Sequence, residues 1–167
     1  NVPQGLPKKG GNGSLWMDDK NCYWLNPTKE QVLGYLIRIA SELKSLGFDE
    51  VVFSDFRFPD TDKIKFEGDK ADAIRKAAAT IAEACATDRF FVSFQSEDYS
   101  FPLPKGNTRL YLKDVAAADI PLVRQQTTAA NPGIQLLFLT EANDTRYNDY
   151  CVLRPLEDAL ITEEPTE

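Results

Sequence analysis

Amphipathic helical segments alternate with short apolar runs along this chain, and this alternation limits the fold more than any other feature. Residues 27–46 form the clearest helical segment, because apolar side chains recur there at steps of three and four. Asn26 and Pro27 are typical of a helix start, and Gly47 is typical of a helix end. The β-rich run at 50–56 is predicted to be a strand covered on both faces.

The same alternation continues to residue 153. A second helix, capped near Asp69, is expected to have an alanine-rich apolar face. Further strands are predicted at 89–95, 109–112 and 134–139, with a helix at about 120–128 ended by 131–133, and a weaker strand signal at 150–153. Strands that alternate with helices pair in parallel through right-handed crossovers. We therefore expect an α/β fold of parallel βα units, either an incomplete, half TIM-barrel-like sheet or an open flavodoxin-like sheet.

The predicted organisation is a single α/β domain over residues 27–161. Residues 1–26 are rich in Gly, Pro, Asn and Lys and are expected to form an irregular N-terminal arm. Residues 162–167 are expected to form a loose acidic tail. The first residue is Asn rather than Met, which suggests either a processed protein or a trimmed chain whose original targeting segment is not seen.

The side-chain inventory argues against several classes of function. Lys and Arg number 19 against 26 Asp and Glu, and the resulting net charge of −7 makes nucleic acid an unlikely partner. The absence of histidine excludes Ser-His-Asp and Cys-His catalysis and His-ligated zinc. No EF-hand-like spacing or glycine-rich phosphate loop is present, so we predict no metal site and no cofactor. No apolar run is long enough for a membrane span.

The three cysteines, Cys22, Cys85 and Cys151, lie far apart and lack CxxC spacing. We expect them to be mostly buried apolar residues. A single disulfide between two of them is the alternative.

Carboxylates follow the predicted strands at the points where the strands end, and functional side chains of parallel α/β sheets gather at that edge. The candidate catalytic residues are Asp55, Glu97 and Glu141, and the candidate substrate-binding residues are Arg57, Asp98, Asp144, Trp16 and Trp24. Two carboxyl groups that face each other across a sugar can divide glycoside cleavage, one as acid and the other as nucleophile or base. Arg57 would lie on the same side of an extended strand as Asp55, which favours Asp55 as a nucleophile or electrostatic anchor.

Structural roles for these charged residues stay open. Asp55 and Arg57 could form an ion pair that stabilises the fold. The adjacent acids at 97 and 98 could be solvated loop charges, and those at 141 and 144 could cap the next segment.

The aromatic residues of the arm also have two interpretations. Trp16, Tyr23 and Trp24 could stack on sugar faces, because flat rings with a polar edge match the C–H face of a pyranose. They could instead only attach the arm to the domain.

The chain resembles the putative glycosyl hydrolase domain family of bacteria, barrel proteins that are distantly similar to the α-amylases. The resemblance rests on Trp24-Leu25-Asn26-Pro27 before the first helix and on the segment GFDEVVFSDFRFP at 47–59, and it is good over about residues 15–60. It implies a (β/α)8 fold, carbohydrate as the substrate class, and Asp55 as the strand-end aspartate with Arg57 in the RFP segment. A glutamate at the end of the following strand would correspond to Glu97.

A full barrel has eight strands and about 250 residues, so the resemblance implies that this chain corresponds to a C-terminal half. The unpaired edges of such a sheet need cover, which we expect from the arm, from a second copy in a homo-oligomer, or from a missing N-terminal half-barrel. The predicted function is a glycoside hydrolase-like, carbohydrate-active domain acting on an oligo- or polysaccharide. The alternative is a non-catalytic binding or scaffolding module. The family also suggests a bacterial protein of the cell envelope or extracytoplasmic space.

Overall fold

The computed structural model describes residues 4–154, and the predicted acidic tail at 162–167 lies outside them, as does the end of the predicted domain. Five strands form one parallel sheet: β1 (Glu50–Phe53), β2 (Phe91–Gln95), β3 (Leu110–Lys113), β4 (Leu136–Leu139) and β5 (Cys151–Leu153). Their order in the sheet follows their order in the chain. A flavodoxin-like sheet has the order 2-1-3-4-5, and the observed order is consistent with a partial barrel or with an open sheet of another strand order. The predicted α/β fold of parallel βα units is confirmed.

The helices connect and flank these strands. They are α1 (Glu30–Ser45), α2 (Lys70–Cys85), α3 (Ile120–Gln126) and the short α4 (Pro132–Gln135), and two 3₁₀ turns occupy Ala117–Asp119 and Thr145–Tyr147. The first two helices pack against each other and against the first two strands. Residues 96–109, between β2 and β3, form an irregular connection.

The main core lies between one face of the sheet and the helices. Alternate strand residues contribute Val51, Val92, Phe94, Leu110, Leu112, Leu136 and Phe138, and all of them are buried. The alanine-rich face of α2 packs against them, as its composition predicts, with Ala78 and Ile81 fully buried. Leu6 from the N-terminal segment belongs to the same cluster.

The N-terminal segment 4–26 folds back on itself through single antiparallel bridges. These bridges join Gly5 to Leu25, Pro7 to Leu15 and Met17 to Tyr23. A further bridge joins Lys8 to Ile64 in the loop before α2. The segment is thereby attached to the domain near the carboxyl end of β1.

Helix α1 starts at Glu30, three residues later than the predicted start. The Asn26 carboxamide oxygen accepts hydrogen bonds from the Thr28 amide at 3.0 Å and the Thr28 hydroxyl at 2.8 Å, so Asn26 closes a turn before the helix. The residue at the N-cap is Lys29, which makes no side-chain capping bond. The predicted cap by Asn26 is therefore wrong, although the side chain does form the capping type of hydrogen bond one turn early.

The predicted end of α1 at Gly47 is confirmed. Gly47 has a φ of +91°, and its amide donates to the Lys44 carbonyl at 3.1 Å. The Phe48 amide donates to the Leu43 carbonyl at 3.2 Å, which completes a Schellman motif.

Other boundaries also differ from the sequence prediction, by one or two residues at β2, β3 and the end of α3 and by more at the sites below. The first strand ends at Phe53 rather than at residue 56, because Asp55 has a left-handed backbone with a φ of +51°. Asn131 and Pro132 start α4 rather than end a helix, since proline is well tolerated in a first helical turn. The fourth strand consequently starts at Leu136 and not at residue 134. Asp119 makes no side-chain capping bond, because a 3₁₀ turn runs directly into α3.

The three cysteines are free thiols in different environments. Cys85 is buried, whereas Cys22 is exposed and Cys151 is partly exposed. The expected burial is therefore right for Cys85 alone. Cys22 lies in a surface turn, where its backbone amide donates a hydrogen bond to the Asp18 carboxylate. Within residues 4–154, no helix has the length and apolar character needed to cross a membrane.

Candidate functional site

The carboxyl ends of β1 to β4 open onto three adjoining cavities. The first, of about 630 Å³, lies at the end of β1 and is lined by Tyr23, Trp24, Asp55 and Arg57 among others. The second, of about 340 Å³, lies between the ends of β1, β2 and β3 and includes Asp55, Arg57, Glu97, Tyr99 and Asp114. The third, of about 760 Å³, lies between the ends of β3 and β4 and includes Asp114, Glu141 and Tyr147. Neighbouring cavities share lining residues, so the three adjoin one another along this edge of the sheet.

Asp55 lies where the first two cavities meet. Its backbone is in a left-handed turn, which the Arg57 amide closes by donating to the Asp55 carbonyl at 2.8 Å. This turn, rather than an extended strand, brings the Arg57 guanidinium within 3.8 Å of the Asp55 carboxylate. The Asp55 side chain is 76% exposed and that of Arg57 is 52% exposed, so the pair is open to solvent and weakly bound. The carboxylate is accessible to a ligand.

Arg57 also contacts the aromatic wall of the first cavity. Its guanidinium carbon lies 5.2 Å from the centroid of the Trp24 ring, a cation–π distance. The Trp24 indole N–H donates to Asp18 at 3.0 Å, which fixes the orientation of the ring. The pKa of Asp18 is lowered because the Cys22 amide and this indole both donate hydrogen bonds to its carboxylate.

Trp16 lies behind Trp24 rather than at the surface of these cavities. The two ring centroids are 6.4 Å apart and the rings are tilted by 56°. Trp16 is partly buried against the main core and is absent from the lining of the three cavities. It can therefore support the position of Trp24.

The two predicted acids after β2 differ in environment. Glu97 is exposed and lines the second cavity. The Asp98 carboxylate accepts hydrogen bonds from the Ser100 amide at 2.9 Å and the Ser100 hydroxyl at 2.6 Å. Asp98 thus closes a local turn and lies outside the lining of the three cavities.

The two predicted acids after β4 differ in the same way. Glu141 is exposed and lines the third cavity. Asp144 caps the 3₁₀ turn at Thr145–Tyr147 and accepts from the Arg146 guanidinium at 2.7 Å and the Arg146 amide at 2.9 Å. These hydrogen bonds, the guanidinium first, lower the pKa of Asp144 to about 2.

Asp114 is a candidate residue that was not identified from the sequence. It directly follows β3, lines the second and third cavities, and has a φ of +55°, close to that of Asp55. Its carboxylate is 79% exposed. The sequence contained a signal for it, because Asp114 follows the apolar run at 110–112 after one intervening residue, just as Asp55 follows the apolar run at 51–53. Among residues 4–154 the structure brings together no group of three or more Cys, Asp or Glu side chains suited to hold a metal ion.

The fold and the cavities define an α/β domain with a carboxylate- and aromatic-lined cleft at the carboxyl edge of its parallel strands. A family described as "Putative glycosyl hydrolase domain" matches residues 5–93, slightly more than half of the chain, and the protein belongs to this family. The matched segment contains Trp24, Asp55 and Arg57 and ends before Glu97. The family resemblance seen in the sequence is thereby confirmed.

Among solved structures, the chain is similar to a hypothetical protein from Ruminiclostridium thermocellum, with 30% sequence identity and a TM-score of 0.47. The match covers 55% of this chain and 47% of that one, so this chain spans about half the length of its structural relative. No curated protein matches the chain.

Proposed function

We propose that this protein is a glycoside hydrolase-like, carbohydrate-active domain that binds its substrate in the first two cavities. The observation that carries the proposal is the position of Asp55, an accessible carboxylate where an aromatic-walled cavity meets a second, carboxylate-lined one. Aromatic walls bind the C–H faces of sugars, and carboxylates accept hydrogen bonds from sugar hydroxyls. Membership of the glycosyl hydrolase-like family supports the same substrate class.

The proposed chemistry uses two carboxyl groups on opposite sides of a glycosidic bond. Asp55 acts as the nucleophile or electrostatic stabiliser, and Glu97 in the second cavity gives a proton to the leaving oxygen. Water then supplies the hydroxyl group on the sugar carbon and returns a proton to the acid. Glu141 is the alternative partner, because it lines the cavity next to that of Glu97.

The proposed binding residues differ in how directly they act. Trp24 and Arg57 contact substrate in the first cavity. Trp16 supports Trp24, while Asp98 and Asp144 fix the loops that carry Glu97 and Glu141.

The alternative proposal is a non-catalytic carbohydrate-binding module on the same fold. The exposure of the cavity carboxylates favours this alternative, since general acids in glycosidases are shielded from water. Both proposals expect carbohydrate in the same cleft, and they differ in turnover.

The test is hydrolysis of a panel of polysaccharides and oligosaccharides by the wild-type protein, Asp55→Asn and Glu97→Gln. Glu83→Gln, an exposed acid on α2, is the matched control. The catalytic proposal expects cleavage by the wild type and the control, and at least about a hundredfold less by Asp55→Asn. Cleavage by Asp55→Asn at the wild-type rate would overturn the role of Asp55. Binding without cleavage by the wild type would favour the non-catalytic module.

The end strands of the sheet, β1 and β5, each pair on one side only among residues 4–154. We propose that a second copy or a complementary half-barrel covers them, because exposed strand edges invite pairing. Analytical ultracentrifugation tests whether a second copy covers these strand edges. A monomer at all concentrations would exclude that arrangement.

A further inference from the structure

The three cavities adjoin one another along the carboxyl edge of the sheet, and together they are called the groove. Asp55 and Arg57 line both the first and the second cavity, and Lys113 and Asp114 line both the second and the third. The groove crosses the ends of four adjacent strands. Neighbouring strands lie about 4.8 Å apart, so the groove extends over about 14 Å. That length exceeds a single sugar ring.

The charges along this groove are strongly biased. Its acidic lining residues are Asp18, Asp19, Asp55, Glu97, Asp114 and Glu141. The basic ones are Lys20, Arg57 and Lys113, half as many. Arg57 and Lys113 each lie 3.8 Å from an acid of the same groove, so their charges are partly compensated. An anionic ligand would meet net repulsion along the groove.

We propose that the groove binds an extended neutral or amino-substituted oligosaccharide and discriminates against uronate and sulfated chains. This inference rests on the proposed carbohydrate function. Asp114 provides a second sugar-binding position beyond Asp55. The ligand follows the strand ends from Trp24 in the first cavity, across Asp55, towards Asp114 and the third cavity.

The environment of Asp114 suits this role. Its amide donates to the Leu139 carbonyl at 3.2 Å, so the sheet holds its backbone in place. Its carboxylate is 79% exposed and meets only the neighbouring Lys113 at 3.8 Å, where Lys113 is itself 63% exposed. Such an exposed pair contributes little energy, which leaves the carboxylate available to accept hydrogen bonds from sugar hydroxyls or from a sugar ammonium group.

The test measures the binding of defined oligosaccharides by calorimetry, with chromatography to detect any cleavage. The probes are neutral glucose oligomers of one to six units in α-1,4, β-1,4 and β-1,3 linkage, β-1,4-linked glucosamine oligomers, and α-1,4-linked galacturonate oligomers. We expect affinity to rise up to about four units and then level off. We expect galacturonate oligomers to bind at least about tenfold more weakly than the best neutral or amino oligomer of equal length.

Variants at Asp114 test its position in the groove. Asp114→Gly keeps the left-handed backbone favourable and removes the carboxylate, and Asp114→Asn retains an acceptor without charge. We expect Asp114→Gly to weaken hexasaccharide binding about fivefold, the effect of losing one hydrogen bond to an exposed charged group, and to leave disaccharide binding unchanged. Glu83→Gln should bind like the wild type. Unfolding midpoints verify that each variant is folded.

Each result separates this inference from the proposed catalysis. Equal binding of galacturonate and neutral oligomers, no gain beyond two units, or no binding of any probe would overturn the inference. Cleavage of a disaccharide without any length dependence would overturn it while leaving the hydrolase proposal intact. Length-dependent binding of neutral chains without cleavage would support it and would count against catalysis.

Discussion

Arg109 donates a hydrogen bond to Glu50 at 2.8 Å, although Glu50 begins β1, Arg109 directly precedes β3, and β2 lies between them. Ser93 on β2 links the two, because its hydroxyl donates to Glu50 at 2.6 Å and accepts from the Arg109 amide at 3.1 Å. The side chains of Glu50 and Arg109 are only 18% and 22% exposed. The Arg109 guanidinium also lies 3.8 Å from the centroid of the Phe91 ring. This network joins three strands on the face of the sheet opposite the main core.

Replacement of Glu50 by Ala is expected to lower the free energy of unfolding by about 2–4 kcal/mol, because it leaves a largely buried guanidinium without its partner. Urea denaturation of Glu50→Ala, Arg109→Ala and the double variant measures the coupling between the two residues. Asp55→Asn is the control, since it removes an exposed pair worth less than about 1 kcal/mol. Independent, additive effects of the two alanine variants would contradict a coupled network.

Substitutions of Asp55 are expected to separate stability from ligand contact. The left-handed φ of +51° is tolerated by Asn and Gly but costs Ala about 1 kcal/mol. Asp55→Asn should therefore unfold at the wild-type urea midpoint, and Asp55→Ala should be destabilised. Equal stability of the Ala and Asn variants would contradict the expected cost of the left-handed backbone at position 55.

Tyr111 is expected to make the protein less stable at alkaline pH. Its burial, together with the nearby carboxylate of Glu50, raises the pKa of its hydroxyl above the ordinary value of 10. Above pH 10 the unfolded state therefore loses this proton before the native state does. The free energy of unfolding then falls with rising pH, by up to about 1.4 kcal/mol per pH unit from this group.

The measurement for Tyr111 compares urea unfolding of the wild type and Tyr111→Phe between pH 9 and pH 11.5. The variant should lose less stability over this range, and parallel profiles would contradict the assignment.

Asp144 is expected to contribute stability that disappears in acid. Its native pKa of about 2 lies below the ordinary value of 3.8, so its contribution is present above about pH 4 and is lost as the pH falls towards 2. NMR titration of the Asp144 carboxyl carbon measures the pKa directly. Arg146→Met removes the guanidinium donor and should raise that pKa towards its ordinary value. An unchanged pKa in Arg146→Met would show that the guanidinium is not the main cause.

The sequence predicted the elements whose signals are local. The Asp69 cap is confirmed, because the Asp69 carboxylate accepts from the Asp72 amide at 2.9 Å as a capping aspartate does. Gly47 ends α1 for an equally local reason, the positive φ that the Schellman motif requires. The weak strand signal at 150–153 is likewise present as β5.

The boundaries that differed depend on contacts that local sequence signals do not contain. Asn26 is an ordinary capping residue, but here it closes a turn upstream of α1, where the amide at position 26 donates to the carbonyl at position 4. The run at 50–56 is β-rich throughout, yet the strand ends at Phe53 because the chain turns at Asp55 towards the Trp24 wall. Asp114 was missed because its strand is short and only the sheet brings it beside the cavity of Asp55.

The sequence by itself determined the parallel α/β fold, the family and the presence of acids at strand ends, since periodicity, turn residues and motifs act over a few neighbouring positions. The tertiary structure decided which acids share a cleft. Glu97 and Asp98 are adjacent in the chain, but one faces a cavity while the other closes a turn. Asp55 and Asp114 are far apart in the chain, yet consecutive pairing of parallel strands brings them to one groove. Which acids share a cleft depends on the strand order and on the direction of each side chain, and both are set by packing of the whole sheet.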